Sequence, residues 1–384
     1  MNEWRECTIN DIARINPETL TAGTMLNFIN YLDTGNITEN KIDTIQYLNN
    51  NYPSRAKRIV KQGDVIYSTV RPNQLHYGYI DNPIENLIVS TGFAVLRVKE
   101  NCNAKFLYYF LTLPENTDYL SNVAEDSTTA YPSITPEILT SLSLSLPPLP
   151  TQHAIAEILS SLDDKIDLLT RQNATLEALA QTYFRQWFVE CEPTIPLGEI
   201  FNFINGHAFK SLTYETEGKY RIITIKNVQD GKIDASGSVF VNDIPNGMNS
   251  ECKLSIGDVL ISLTGNVGRV GIVTDSDLLL NQRVAKFLPN DKILLPFFYF
   301  MFRQNEMKLY LENIAKGTAQ QNLSPVETLK TLIYYDKKMV SGYVEISSPI
   351  FEKITSNKRQ IQTLQKLRNT LLPKLISGEV RVAV

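Results

Sequence analysis

Seven short stretches of the chain gather side chains that make hydrogen bonds in flat, paired geometry. "TVRPNQLHYG" carries Arg71, Asn73, Gln74 and His76, and "LTGNVGRVG" carries Thr264, Asn266 and Arg269. "LNQRVAK" adds Gln282, Arg283 and Lys286, "GTAQQN" adds Gln320 and Gln321, "TTAYPS" adds Tyr131, and "NGHAFKS" adds Lys210. "SRAKRIVK" concentrates Arg55, Lys57, Arg58 and Lys61. An Arg fork or a Lys fits the two acceptors on a guanine edge, and an Asn or Gln amide fits the donor–acceptor pair of adenine. A basic run neutralises phosphates, and the glycines of "LTGNVGRVG" let a ligand approach the backbone closely. A plainer reading stands beside each of these. A Gly/Asn turn is usually a turn, a basic run is usually a solvated face, and a lone His such as His76 is more often structural than base-reading.

Bond-making chemistry is hard to find. A methyltransferase acting on an amine needs Asn/Asp-Pro-Pro-aromatic, but the double proline of "SLPPLP" has no Asn or Asp before it. There is no GxxxxGK[ST] for a nucleotide, no HExxH for a metal, and no paired-carboxylate nuclease motif with a following Lys. The three His are scattered, and Cys7, Cys102, Cys191 and Cys252 form no CxxC. The reading is of a non-catalytic chain with no metal or cofactor of its own. Free cysteines suit a reducing cytosol. The polar N-terminus is unlike a signal peptide, and no apolar run is long enough for a membrane span, so a cytoplasmic location is expected.

The elements that must position the loops are written twice. "KQGDVIYSTV" (61–70) answers "LSIGDVLISL" (254–263), and "KFLYYFLTLPENTDYL" (105–120) answers "PFFYFMFRQNEMKLYL" (296–311). "NVAEDSTTAYPSITPEIL" answers "NIAKGTAQQNLSPVETL", and "KIDLLTRQNATLEALAQTYF" (165–184) answers "KITSNKRQIQTLQKLRNTLL" (353–372). Short β-branched runs between turn signals predict mostly antiparallel strands, as in "DVLISLTGNVGRVGIV". Pro296 opens a predicted helix. At 384 residues the chain is too long for one core.

Two stretches keep a strict 4-3 spacing. The first runs through Ile155, Leu159, Leu162, Ile166, Leu169, Asn173, Leu176, Ala180, Tyr183 and Trp187. The second runs through Ile350, Ile354, Asn357, Ile361, Leu364, Arg368, Leu371 and Leu375. A 3.5-residue stripe marks a coiled coil, and Asn173 and Asn357 are polar breaks able to set register. Residues 151–190 hold six acids and three bases, whereas 349–379 hold six bases and two acids. The opposite charges predict that the helices pair with each other, antiparallel, because the domain between them must bring the chain back. The alternative is that each helix packs only on its own globule. The expected segments are a first globule (1–150), a central helix (151–190), a second globule (191–348) and a C-terminal helix and tail (349–384). The prolines of "SLPPLPTQ", "CEPTIPLG" and "ISSPIF" mark the junctions. The fold class is α+β, with two pseudo-repeated globules separated by a two-helix coiled-coil spacer.

With these residues in view, the chain resembles the DNA-specificity subunits of type I restriction–modification systems. "LPPLPTQHAIAEILSSLDDKIDLLTRQNATLEALAQTYFRQWF" is similar to that family's central spacer. "GHAFKSLTYETEGKYRIITIKNVQDGKI" is similar to the opening of its recognition domains, "KGTAQQNLS" to the loop before their last strands, and "LRNTLLPKLISGEV" to its usual ending. The resemblance implies that each globule is a target-recognition domain reading one half of a split, asymmetric double-stranded DNA target. It implies that the coiled coil sets the spacing and docks two methyltransferase subunits, and that restriction/translocase subunits join through that core. S-adenosylmethionine, ATP and Mg²⁺ would belong to those partners. The first globule carries 16 acids and 11 bases, and residues 194–348 of the second carry 16 of each. Phosphate neutralisation dominates affinity, so the heads are expected to supply specificity while partners supply much of the clamp. Other readings are the specificity subunit of a combined restriction–methylation enzyme, a scaffold that binds only proteins, and a divergent stand-alone methyltransferase.

Overall fold

The computed structural model describes residues 4–21, 26–126, 132–315 and 321–383. The chain folds as two compact units. One comprises Met1–Lys165 with Leu364–Val384, and the other Ile166–Thr363. Each unit is a mixture of small sheets, short helices and stretches of both long helices, which is the α+β class expected.

The first unit is built on a four-stranded sheet in the order Ala13–Ile15, Phe93–Val98, Val65–Ser68, Tyr77–Tyr79. A second four-stranded sheet runs Gln46–Leu48, Ile29–Leu32, Leu87–Ser90, Ala56–Ile59, and its central pair is parallel. The second unit repeats both. Phe201–Asn205, Val284–Pro289, Val259–Ser262 and Val270–Ile272 follow the first order, extended by the hairpin Val228–Gln229/Gly231–Ile233. Phe240–Val241, Tyr220–Ile223, Leu278–Leu280 and Lys253–Leu254 follow the second, again with a parallel centre. The helices match too. Ala104–Leu111 and Pro114–Asp126 correspond to Leu295–Phe302 and Asn305–Ile314.

Local chemistry explains the repeat. In "KQGD" and "SIGD" the glycines Gly63 and Gly257 adopt φ of 86° and 92°. Only glycine takes that region without steric cost. The next residue closes the turn: Asp64 accepts from the Lys61 amide at 2.7 Å, and Asp258 from the Ser255 amide at 2.8 Å. The helix "LPFFYFMF" starts with Pro296 in its first turn and buries Pro296 through Phe302 completely. A helix apolar all round belongs in a core, and here it packs on Phe201, Phe287, Phe184 and Phe188.

The two long helices, Leu149–Phe188 and Lys337–Ile376, are each 40 residues. The C-terminal helix starts well before the expected junction at "ISSPIF", and Pro349 lies inside it. A mid-helix proline costs about 3 kcal/mol. Val340, Tyr343, Val344, Ile350 and Phe351 around it are all buried in the second unit's core, and large apolar side chains contribute roughly 1.5–3 kcal/mol each. Packing therefore carries the helix through the proline.

Both seams are buried where the 4-3 spacing places them. Ile166, Leu169, Ala180 and Ile354 are inside, Leu176 and Tyr183 pack on the second core, and Leu371 packs on the first. Ile361 and Leu364 are half-buried. In the second unit Asn357 Nδ2 donates to Asn173 Oδ1 at 2.9 Å and to Gln172 Oε1 at 2.8 Å. The Tyr343 hydroxyl donates to the Ala180 carbonyl at 3.1 Å. These contacts set the helices antiparallel. In the first unit the acidic and basic seams meet directly as Arg368 Nη1 on Asp163 Oδ1 at 2.9 Å. Both long helices also grip the rest of the second unit. Glu177 accepts from Tyr299 Oη at 2.9 Å and from Arg303 Nε at 2.5 Å. Lys358 donates to the carbonyl of Gly231. Burial pulls the Lys358 amine down to about 8, with Glu177 opposing that fall and Arg303 and Lys232 adding to it.

The seam asparagines generate a stability prediction. Asn173→Leu strips Asn357 of a buried partner and should cost about 1–3 kcal/mol. Replacing both asparagines with Leu should recover most of that loss. Thermal denaturation of the single and double variants checks it, and equal losses in both would deny that the two amides act as a pair.

Candidate nucleic-acid interface

In each unit the candidate loops are hung on the same hydrogen-bond frame. In the first, the Ile134 amide donates to the Thr69 carbonyl at 2.8 Å, the Arg71 amide to Pro132 at 2.9 Å, and the Thr69 amide to Gly92 at 2.8 Å. In the second, Leu323 donates to Leu263 at 2.7 Å, Gly265 to Gln321 at 3.2 Å, and Leu263 to Arg283 at 3.0 Å. Bridges between Val70 and Ser133 and between Thr264 and Asn322 complete the match. Arg71 therefore stands where the other unit has Gly265, and Arg283 where the other has Gly92. The frame is shared, but the cation sits on a different loop in each copy.

In the second unit, Thr264, Gln282, Arg283 and Asn322 line one cleft of about 710 Å³. Gln282 and Arg283 also border a second cleft of about 560 Å³, which contains Phe209, Tyr214, Lys226 and Asn281. Both side chains are exposed. Their turn is held by the His207 strand: the His207 amide donates to Leu280 at 2.8 Å and the Gln282 amide to His207 at 3.0 Å. Gly206 makes this approach possible, since a Cβ there would stand 2.1 Å from the Asn281 carbonyl oxygen. Lys210 is exposed three residues beyond His207, on the loop that carries Phe209. Thr264 Oγ1 donates to Asn322 Oδ1 at 3.1 Å. Asn266 and Arg269 face each other across the Gly265–Gly268 turn. With its amide turned so that the oxygen faces the guanidinium, Asn266 accepts from both terminal nitrogens of Arg269 at 3.2 Å, which joins the two to each other before any ligand arrives.

In the first unit Arg71 is exposed and adopts φ of 47°, a left-handed backbone unusual for a side-chain-bearing residue. Asn73 and Gln74 follow in a short 3₁₀ turn, Pro72–Gln74. Asn73 borders a cleft of about 670 Å³ that also holds Glu39, Asp118, Glu125 and Asp163, an acidic lining that disfavours phosphate. The basic run is divided by its strand. Arg55 and Lys57 are exposed, while Arg58 is half-buried with Nη1 on Thr19 Oγ1 at 3.1 Å. The Arg55 carbonyl accepts from the Thr91 amide at 2.8 Å, beside the Gly92 that holds Thr69.

Other candidates are taken up by the fold. His76 Nδ1 lies 2.5 Å from the Ile37 carbonyl and its Nε2 lies 3.2 Å from Gln74 Oε1, so His76 and Gln74 brace the turn. Lys286 is buried between Glu251 at 2.5 Å and Asp258 at 3.5 Å, and Lys61 pairs with Glu18 at 2.5 Å. Tyr131 and Gln320 lie outside the described residues, and Gln321 is exposed at the edge of them. Lys226, exposed in the same cleft as Arg283, had no signal in the sequence beyond a single lysine in a turn. Among the described residues no three His, Cys, Asp or Glu side chains gather as a metal site, and no helix is long and apolar enough to cross a membrane.

Known proteins resemble this chain over most of its length. A family model described as the type I restriction modification DNA specificity domain matches residues 1–178 and 190–332. The type I restriction enzyme HindI specificity subunit of Haemophilus influenzae is 28% identical over 99% of this chain and 100% of its own length. The MjaIX specificity subunit of Methanocaldococcus jannaschii is 25% identical over 85% of this chain and 79% of its own. The crystal structure of a type I restriction–modification S subunit from M. genitalium shares the fold, with a TM-score of 0.58 over 97% of this chain and 96% of that one, at 18% identity.

Arg283 and Lys286, three residues apart, should behave oppositely. Lys286→Met should lower stability by about 1–3 kcal/mol, the exposed side of Glu251 softening the loss. Arg283→Ala should leave stability within about 0.5 kcal/mol. It should weaken duplex binding and reduce the salt slope of log K by about one. Denaturation melts and duplex titrations at several salt concentrations distinguish the two. A stable Lys286→Met chain, or an unchanged duplex affinity for Arg283→Ala, would contradict these assignments.

Proposed function

We infer how this chain works from a premise: it belongs to the type I restriction–modification DNA specificity family and is a DNA specificity subunit. In our reading each globule recognises one half of a bipartite double-stranded DNA target. The observation that carries this is the shared frame with unlike side chains. Thr69–Ile134 and Leu263–Leu323 make the same backbone bond, yet the exposed cation is Arg71 in one unit and Arg283 in the other. Two heads of one backbone design with different hydrogen-bonding side chains read two different half-sites, so the whole target is asymmetric.

Gln282 and Arg283 supply base-edge contacts in the second half-site, with Lys226 and Lys210 on phosphate. Arg71 supplies the corresponding contact in the first, with Arg55 and Lys57 on phosphate. The 16 acids against 11 bases of residues 1–150 leave little surplus for phosphate neutralisation. Affinity is therefore shared with partner subunits. The paired helices set the distance between half-sites and dock two modification subunits, which carry S-adenosylmethionine; restriction subunits with ATP and Mg²⁺ join the same assembly. The chain itself positions the target and transfers no group.

Methylome sequencing of cells with and without this gene tests the proposal. The expected result is a split, asymmetric methylated motif that disappears on deletion while unrelated methylation persists. An unchanged methylome alongside an intact modification subunit would refute it.

A further inference from the structure

The internal repeat allows one unit to serve as a template for the other, and one place fails to match. In the first unit two separate segments meet beyond the C-terminal helix. Residues 4–8 enter the strand that pairs with Ser143–Leu146, and residues 377–383 leave the helix. Trp4 lies on Gly378, where a Cβ would stand 3.0 Å from its ring, and Trp4 and Val382 both pack on the core. In the second unit a single link, residues 189–194, joins the central helix to the matching strand, Ile195–Pro196. Cys7 pairs with Leu144 as Ile195 pairs with Ile333, so the position matching Trp4 is Glu192, which is exposed.

A cavity of about 550 Å³ lies beside this link in the second unit, lined by Cys191 and Pro193 on either side of Glu192 and by Phe184, Phe188, Met301 and Met307 among others. Gln304 also lines it. Its side chain is buried, its Nε2 donates to the Phe300 carbonyl at 3.2 Å, and among the described residues its Oε1 has no hydrogen-bond partner. A buried acceptor without a donor is costly. The matching residue in the first unit is Leu113: its amide bonds to Phe110 as that of Gln304 bonds to Met301. The unit whose core takes up Trp4 has an apolar residue at this position, and the unit without that indole has an unused acceptor there.

We propose that this cavity seats an aromatic side chain bearing an N–H or O–H donor, an indole above all, presented by the modification subunit. The aromatic and methionine lining suits a flat, polarisable ring, and Gln304 Oε1 gives that ring's donor a partner. The proposal rests on the reading that a modification subunit docks on this chain. A single buried aromatic anchor of this kind contributes disproportionately to an interface.

Glu192→Trp is the direct test, because it supplies in the second unit the indole that the first already has. With purified modification subunit and full-length chain, the variant should assemble at least tenfold more weakly than wild type. In methionine-methyl NMR of the wild type, N-acetyl-tryptophanamide should shift Met301 and Met307 and leave Met248 in place, and these shifts should vanish in Glu192→Trp. Gln304→Leu is the second variant, should the first not fold. It should lose affinity for N-acetyl-tryptophanamide while keeping that for N-acetyl-phenylalaninamide. Wild type and Glu192→Trp assembling equally, or Gln304→Leu weakening both probes alike, would overturn the proposal and leave the specificity-subunit reading intact. Failure of the wild type itself to assemble would instead remove the docking reading on which the proposal stands.

Discussion

The pairing of two 40-residue helices is the constraint on which everything else depends. Neither unit has a core of its own without them. Ile155 and Leu159 of the central helix and Leu372, Leu375 and Ile376 of the C-terminal helix are built into the first core. Ala180, Phe184 and Phe188 of the one and Val340, Tyr343 and Ile354 of the other are built into the second. A sheet with one apolar face must be covered, and here the cover is supplied by helices drawn from distant parts of the sequence. The buried amides of Asn173 and Asn357 contribute less stability than two leucines would. Their value is register: they bond well only when they face each other, which fixes which turns of the two helices meet.

On that base the two units repeat a backbone and vary its side chains. The glycine–aspartate turns, the parallel strand pair and the three-bond loop frame recur unchanged. The exposed loop positions hung on that frame differ between the units. This arrangement separates folding from recognition. Changing the Gln282 or Arg283 side chain costs little stability because the frame takes only backbone groups there, whereas Asp64, Asp258 and Lys286 are held inside it. A specificity subunit of this design can change the sequence it reads without rebuilding its core.

The sequence made the architecture legible because its signals are local and repeated. A 3.5-residue stripe survives any context, and the charge difference between the seams pointed to a contact that Arg368 and Asp163 make. The repeat was visible because turns such as "QGD" depend on three adjacent residues. Individual site residues were harder to read, because their fate is decided by partners far along the chain. His76 is captured by Ile37, Arg58 by Thr19 and Lys286 by Glu251, at separations that no spacing rule reports. Pro349 was read as a junction for the same reason: the buried residues that carry a helix across it come from a core assembled over the whole second unit. Lys226 gave no signal, since only the fold of the Val228–Ile233 hairpin brings its turn beside Arg283.

In this reading the helix pair measures the distance between two independent half-sites. Deleting residues 166–172 together with the facing 358–364 removes one heptad from each helix and preserves the seam. Seven residues shorten a helix by roughly 10 Å, which is about three base pairs of duplex. Methylome sequencing of cells carrying this variant should show both half-sites unchanged and the gap between them altered by about that amount. Altered bases within either half-site, or an unchanged gap, would contradict the account.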